Sequence, residues 1–106
     1  MMQPITEAMF LQKSNEMLEK LYSYIETLSA TNEIEIDFED GVLSFCIEKT
    51  SSHFVINSNF ASKKIWYSSP VSKPKYYELH PSDQWVETTL KTNIQNDLSE
   101  DIKKLL

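Results

Sequence analysis

Between Glu33 and Phe38 the chain reads Glu-Ile-Glu-Ile-Asp-Phe, a strict alternation that sets Ile34, Ile36 and Phe38 against Glu33, Glu35 and Asp37. Successive side chains of a strand point to opposite faces, so this pattern predicts a strand that is apolar on one side and wet on the other. Asp40-Gly41 follows at once. Both residue types tolerate the positive φ of a tight hairpin turn, so Val42 to Glu48 is expected to return as an antiparallel partner. Gly41 is the only glycine in the chain, which marks it as a position with a backbone job.

The half-buried hairpin needs a cover, and the flanking segments supply it. Phe10, Met17, Leu18, Leu21, Ile25 and Leu28 recur at helical spacing, predicting a helix from about Thr6, as N-cap, to about Ser29. Leu90, Ile94, Leu98, Ile102 and Leu105 fall three or four residues apart and predict a second amphipathic helix after Glu87. Between them, further strands are expected at about 53–57, 64–68 and 75–80, with a short one near 84–87 carrying Trp85 toward the core. The expected fold class is α+β: a two-layer sandwich with two terminal helices on one face of a five- to six-stranded antiparallel sheet. One domain over residues 1–106 is expected.

The charge balance narrows the partners. With 16 acidic against 10 basic residues the net charge is −6, which disfavours nucleic acid and favours cations or a basic protein surface. No run approaches the roughly 18 to 20 apolar residues of a membrane span. The lone Cys46 cannot form an internal disulfide and is expected to be a buried or half-buried apolar residue. His53 and His80 stand far apart without a second histidine at ligand spacing, and are expected at the surface or at strand ends. A single glycine excludes G-x-G-x-x-G and phosphate-loop motifs.

Carboxylates are the main chemical resource. Glu16, Glu19 and Glu26 share a helical stripe, and with Glu33, Glu35, Asp37, Glu39 and Asp40 they could line one acidic ridge. Carboxylate oxygen suits hard cations such as ferrous iron, in weak and partly hydrated contacts. An ordinary solvated face would show the same residues. Likewise Trp66, in a strand, would ordinarily face the core.

Residues 54–79 carry the most specific signal. Val55-Ile56-Asn57, then Lys63-Lys64-Ile65-Trp66, then Ser68-Ser69-Pro70, then Pro74-Lys75 with Tyr77 resemble the central motif of the frataxin family at unchanged spacing. The resemblance implies a regulatory protein of iron-sulfur cluster assembly that docks on a cysteine desulfurase and its scaffold protein and modulates sulfur transfer, with an iron-chaperone role. It also implies weak Fe2+ binding by the acidic ridge, and an exposed Trp66 with Asn57 beside it as an interaction site. On that open sheet face the expected contact residues are Asn57, Asn59, Lys64, Trp66, Ser68, Lys75 and Tyr77. Ser23 and Thr27 stand where many family members carry acids, Tyr76 where eukaryotic members usually have arginine, and Lys64 where they often have glutamine. No catalytic constellation is visible in the sequence, and the alternative function is a ferroxidase or iron-storage protein using surface carboxylates.

The compartment follows from the same resemblance. A mitochondrial matrix or mitosome is expected, with a bacterial cytoplasm as alternative, because the first ten residues contain no arginine and include Glu7, unlike an ordinary transit peptide. A monomer is expected. The chain reaches Leu106 directly after the second helix, without the carboxy-terminal extension of some family members, so lower stability is expected.

Overall fold

A computed structural model describes residues 6–106; the first five residues, on which part of the targeting expectation falls, lie outside that range. Helix α1 spans Glu7–Ser29, and the Thr6 hydroxyl caps it by accepting from the Met9 amide at 3.1 Å. Six strands follow: β1 (Ile34–Glu39), β2 (Val42–Ile47), β3 (Ser52–Asn59), β4 (Lys64–Ser68), β5 (Lys75–Leu79) and β6 (Trp85–Glu87). They form one antiparallel sheet in sequence order, with β1 and β6 as its edges. Helix α2 spans Ile94–Lys103, and the Asn93 side chain caps it at the Asn96 amide.

The hairpin turn is the one the sequence demands. Asp40 has φ +51° and Gly41 φ +74°, the two consecutive positive values of the turn that matches right-handed strand twist. A Cβ on Gly41 would come within 2.7 Å of Ser58 Oγ, so another residue there would have to displace that hydroxyl as well as adopt a strained conformation.

Both helices cover the same sheet face. Phe10, Leu18, Leu21 and Ile25 of α1 and Ile94, Leu98 and Ile102 of α2 are fully or almost fully buried, against Leu43, Phe45, Phe54, Ile56, Ile65, Tyr67, Tyr77 and Trp85 from the sheet. Phe45 and Phe54 stack face to face at 4.5 Å across β2 and β3. Trp85 packs edge-on to Phe10 at 6.0 Å and lies in the core, as expected.

One apolar position departs from the expected second helix. Leu90 lies in the turn before α2, 66% exposed. The physical reason is local: the Glu87 carboxylate accepts the amides of Thr89 and Leu90, fixing a turn there, and Asn93 then starts the helix.

Candidate functional site

The helix-free face of the sheet is organised by register. Glu39 pairs with Val42, Val42 with Asn57, Asn57 with Trp66, and Trp66 with Tyr76, so these five residues form one row across β1 to β5. Every one belongs to the phase opposite the core. The neighbours Ile56, Ile65, Tyr67 and Tyr77 point to the helices and are fully buried, as the two-residue period of a strand requires.

Most of the expected contact residues stand on this open face. Asn57, Trp66 and Ser68 are half-buried there, and Asn59 pairs with Lys64 at the end of the β3–β4 hairpin. Lys75 and Tyr77 do not. Tyr76, opposite Trp66, takes the open side of β5, which turns both of its neighbours toward the helices. Tyr77 is fully buried with its hydroxyl on Asp97 Oδ2 at 2.6 Å, and the Lys75 ammonium lies 3.1 Å from Ser72 Oγ and over the Tyr67 ring. The exposed apolar residues of the open face are instead Tyr76 and Val42, 44% and 38% exposed.

Asn57 has a further property. Its Oδ1 is buried and without a hydrogen-bond partner. An unsatisfied amide oxygen costs stability in the free protein, and here it stands directly opposite Trp66.

The acidic residues run along the β1 side. Glu16, Glu19 and Glu26 are exposed on α1; Glu35, Asp37 and Glu39 are exposed on the open phase of β1, with Glu33 just before the strand and Asp40 in the turn. Glu16 and Asp40 line one groove with Leu11, Gly41 and Ser58. At the other end of the helix, the Glu26 carboxylate beside Tyr22 raises that phenol's pKa, and Tyr22 packs on Phe38 of β1 at 5.7 Å. The ion pairs among the described residues, Lys13–Asp83 and Lys91–Glu78, include none of these acids. Nor do any three His, Cys, Asp or Glu side chains among the described residues gather into a group fit to hold a metal ion. The belt is thus a spread of uncompensated charge, suited to loose cation contacts or to a basic surface.

The chain that carries this open face and acidic edge is similar to known proteins. The family model described as the Frataxin-like domain matches residues 3–106. The chain belongs to the frataxin family. Mitochondrial frataxin of Caenorhabditis elegans is 27% identical over 97 residues, covering 88% of this chain and 71% of the nematode protein. That of Dictyostelium discoideum is 29% identical over 107 residues, and there the match spans 96% of this chain but 55% of the relative. These relatives are named as mitochondrial proteins, in agreement with the expected compartment. Among solved structures, the frataxin of Psychromonas ingrahamii superposes with a TM-score of 0.82 over 95% of this chain and 91% of its own at 18% identity, a likeness of fold. A trimeric Saccharomyces cerevisiae frataxin complexed with ferrous superposes with a TM-score of 0.76 at 25% identity, over 98% of this chain and 88% of its own. The trimer gives no support to the monomer expected from the sequence. No helix among the described residues is long and apolar enough to cross a membrane.

Two aspartates of α2 escaped the sequence reading. Asp97 and Asp101 sit on the sheet-facing side of α2, and each receives a tyrosine hydroxyl from the sheet, Tyr77 and Tyr67. A signal existed: tyrosines on the core phase of two neighbouring strands each need an acceptor, and two aspartates four apart on a short helix can supply both.

Proposed function

We propose that this frataxin is an iron-linked regulator of iron-sulfur cluster assembly in mitochondria, docking on a cysteine desulfurase–scaffold complex and modulating sulfur transfer, with residues 1–106 working as one domain. The observation that carries this reading is the open-face row of Val42, Asn57, Trp66 and Tyr76. Two large aromatics side by side beside an unsatisfied amide form a surface that gains when another protein covers it. Asn59, Lys64 and Ser68 would form its polar rim. The acidic belt from Glu16 to Asp40 would meet a basic partner surface and hold ferrous iron as weakly bound cargo. The yeast relative complexed with ferrous supports that cargo.

A ferroxidase or iron-storage role would need carboxylates gathered around a pair of irons, as in bundle di-iron sites. The spread of the belt favours docking over that chemistry.

The docking step is tested by titrating the protein onto the cognate desulfurase–scaffold complex. Trp66→Ala should weaken binding by more than about 2 kcal/mol, the loss characteristic of an interface anchor. Undiminished binding by this variant would move the contact off the sheet.

A further inference from the structure

The open face carries a second row of polar side chains, at the opposite end from Trp66. Glu35 pairs with Cys46 and Cys46 with His53, across β1, β2 and β3. This row lies four residues along β3 from Asn57, or about 13 Å at the rise of an extended strand. Cys46 Sγ stands 3.7 Å from His53 Nε2, and both border a shallow trough of about 530 Å³ whose walls include Glu35, Asp37 and Ser44.

The separation of sulfur and nitrogen is informative. A tetrahedral divalent ion bound at about 2.3 Å to a thiolate and about 2.0–2.1 Å to an imidazole holds those two atoms about 3.5–3.6 Å apart. Cys46 and His53 are within a small side-chain adjustment of that edge. They sit on adjacent strands of one sheet, so backbone pairing fixes the spacing without a loop having to fold around an ion.

We propose that Cys46 and His53 are the two fixed ligands of a site for a borderline-soft divalent cation of the zinc class, with the Glu35 carboxylate as third ligand and water as fourth. Glu35 is exposed on the edge strand β1 and pairs with Cys46, but no three such side chains are gathered among the described residues, so the site requires the Glu35 carboxylate to move in to the Cys46–His53 pair. Thiolate and imidazole select this class over the hard cations that suit the all-carboxylate belt. A bound cation displaces the Cys46 thiol proton to solvent, and the neighbouring Glu35 carboxylate favours its positive charge. The Cys46–His53 pair does not depend on the docking function proposed above, and the site shares only Glu35 with the acidic belt.

Cobalt(II) added to the reduced full chain reports on the site directly, and zinc competition then gives the affinity. The expected result is a near-ultraviolet thiolate-to-cobalt charge-transfer band at one ion per chain. Cys46→Ser should abolish the band, and Cys46→Ser and His53→Gln should each weaken zinc binding at least about tenfold. Both positions are on the helix-free face, so the metal-free thermal transition of each variant should stay at the wild-type value. Absence of the band in the wild type, or zinc affinity unchanged in either variant, would overturn the site and leave metal binding to the acidic belt.

Discussion

The Tyr67 hydroxyl of β4 donates to Asp101 Oδ2 of α2 at 2.7 Å, a bond between two buried side chains. Ser72 donates to the same oxygen at 2.9 Å, and one turn earlier on the helix Asp97 receives Tyr77 at 2.6 Å and Thr92 at 2.6 Å. Helix α2 has 10 residues, too few to be stable in isolation. Its position over β4 to β6 therefore depends on Ile94, Leu98 and Ile102 in the core and on these two tyrosine–carboxylate pairs.

Removing the Tyr67 hydroxyl leaves the buried Asp101 with Ser72 as its remaining donor. Tyr67→Phe should cost about 1.5–3 kcal/mol, the range for a hydrogen bond to a charged group. Tyr77→Phe should cost less, since Asp97 is half-buried and keeps Thr92. Urea unfolding at neutral pH measures both, with an unchanged slope showing that the unfolded ensemble is the same.

The same pairs predict alkaline sensitivity. Burial first, then the hydrogen bonds to Asp101 and Asp97, push the Tyr67 and Tyr77 phenols far above the ordinary value of 10.0. A neutral phenol is the form the fold holds, so this stabilisation is complete below pH 10.0 and is lost as the pH rises above it, where only the unfolded chain ionises. Glu87 runs the other way. Burial alone would raise its pKa, but the Leu90 and Thr89 amides, the Thr88 hydroxyl and the Lys75 charge outweigh it and hold it below 4.5. Its contribution is present above pH 4.5 and is lost as the pH falls below. Melting temperatures should therefore decline at both ends, and the alkaline decline should be shallower in Tyr67→Phe. An identical alkaline slope in that variant would remove the phenol from the account.

Gly41→Ala should destabilise by at least about 1–2 kcal/mol, the cost of a left-handed conformation for a residue with a Cβ. The clash with Ser58 Oγ adds to it. Gly41→Ala combined with Ser58→Ala should recover only the steric part, which denaturation of the single and double variants separates.

Ile65 and Trp66 are sequence neighbours on opposite faces, one fully buried and one half-buried on the open side. Ile65→Ala should cost about 2–5 kcal/mol of folding stability. Trp66→Ala should cost less than half as much while weakening partner binding. Equal losses in thermal denaturation would mean that Trp66 is part of the fold's support and not a free docking residue.

Alternation made most of the sheet legible before any coordinates. In β1 the apolar and acidic residues separate cleanly, whereas in β4 Ile65 and Trp66 are both apolar, so pattern alone turns Trp66 to the core and its open placement is implied only by the family resemblance. In β5 that logic has nothing to grip. Lys75, Tyr76, Tyr77 and Glu78 all combine an apolar stem with a polar tip, and either phase reads equally well. Pairing of Tyr76 with Trp66 settles it. Leu90 misled for a related reason, since its spacing from Ile94 suits a helix, whereas the capping of Thr89 and Leu90 by Glu87 is invisible to an apolar-period argument. The half-buried Asp97 and the buried Asp101 were hidden because polar residues on a helix are read as solvent-facing until their tyrosine donors are brought over them.

The most direct measurement is the rate of sulfide release by the cognate cysteine desulfurase and scaffold, with and without this protein, for wild type and Trp66→Ala, with ferrous iron present and withheld. The account predicts that wild type changes the rate and that Trp66→Ala, though folded, does not. An unchanged rate with wild type under both iron conditions would contradict it.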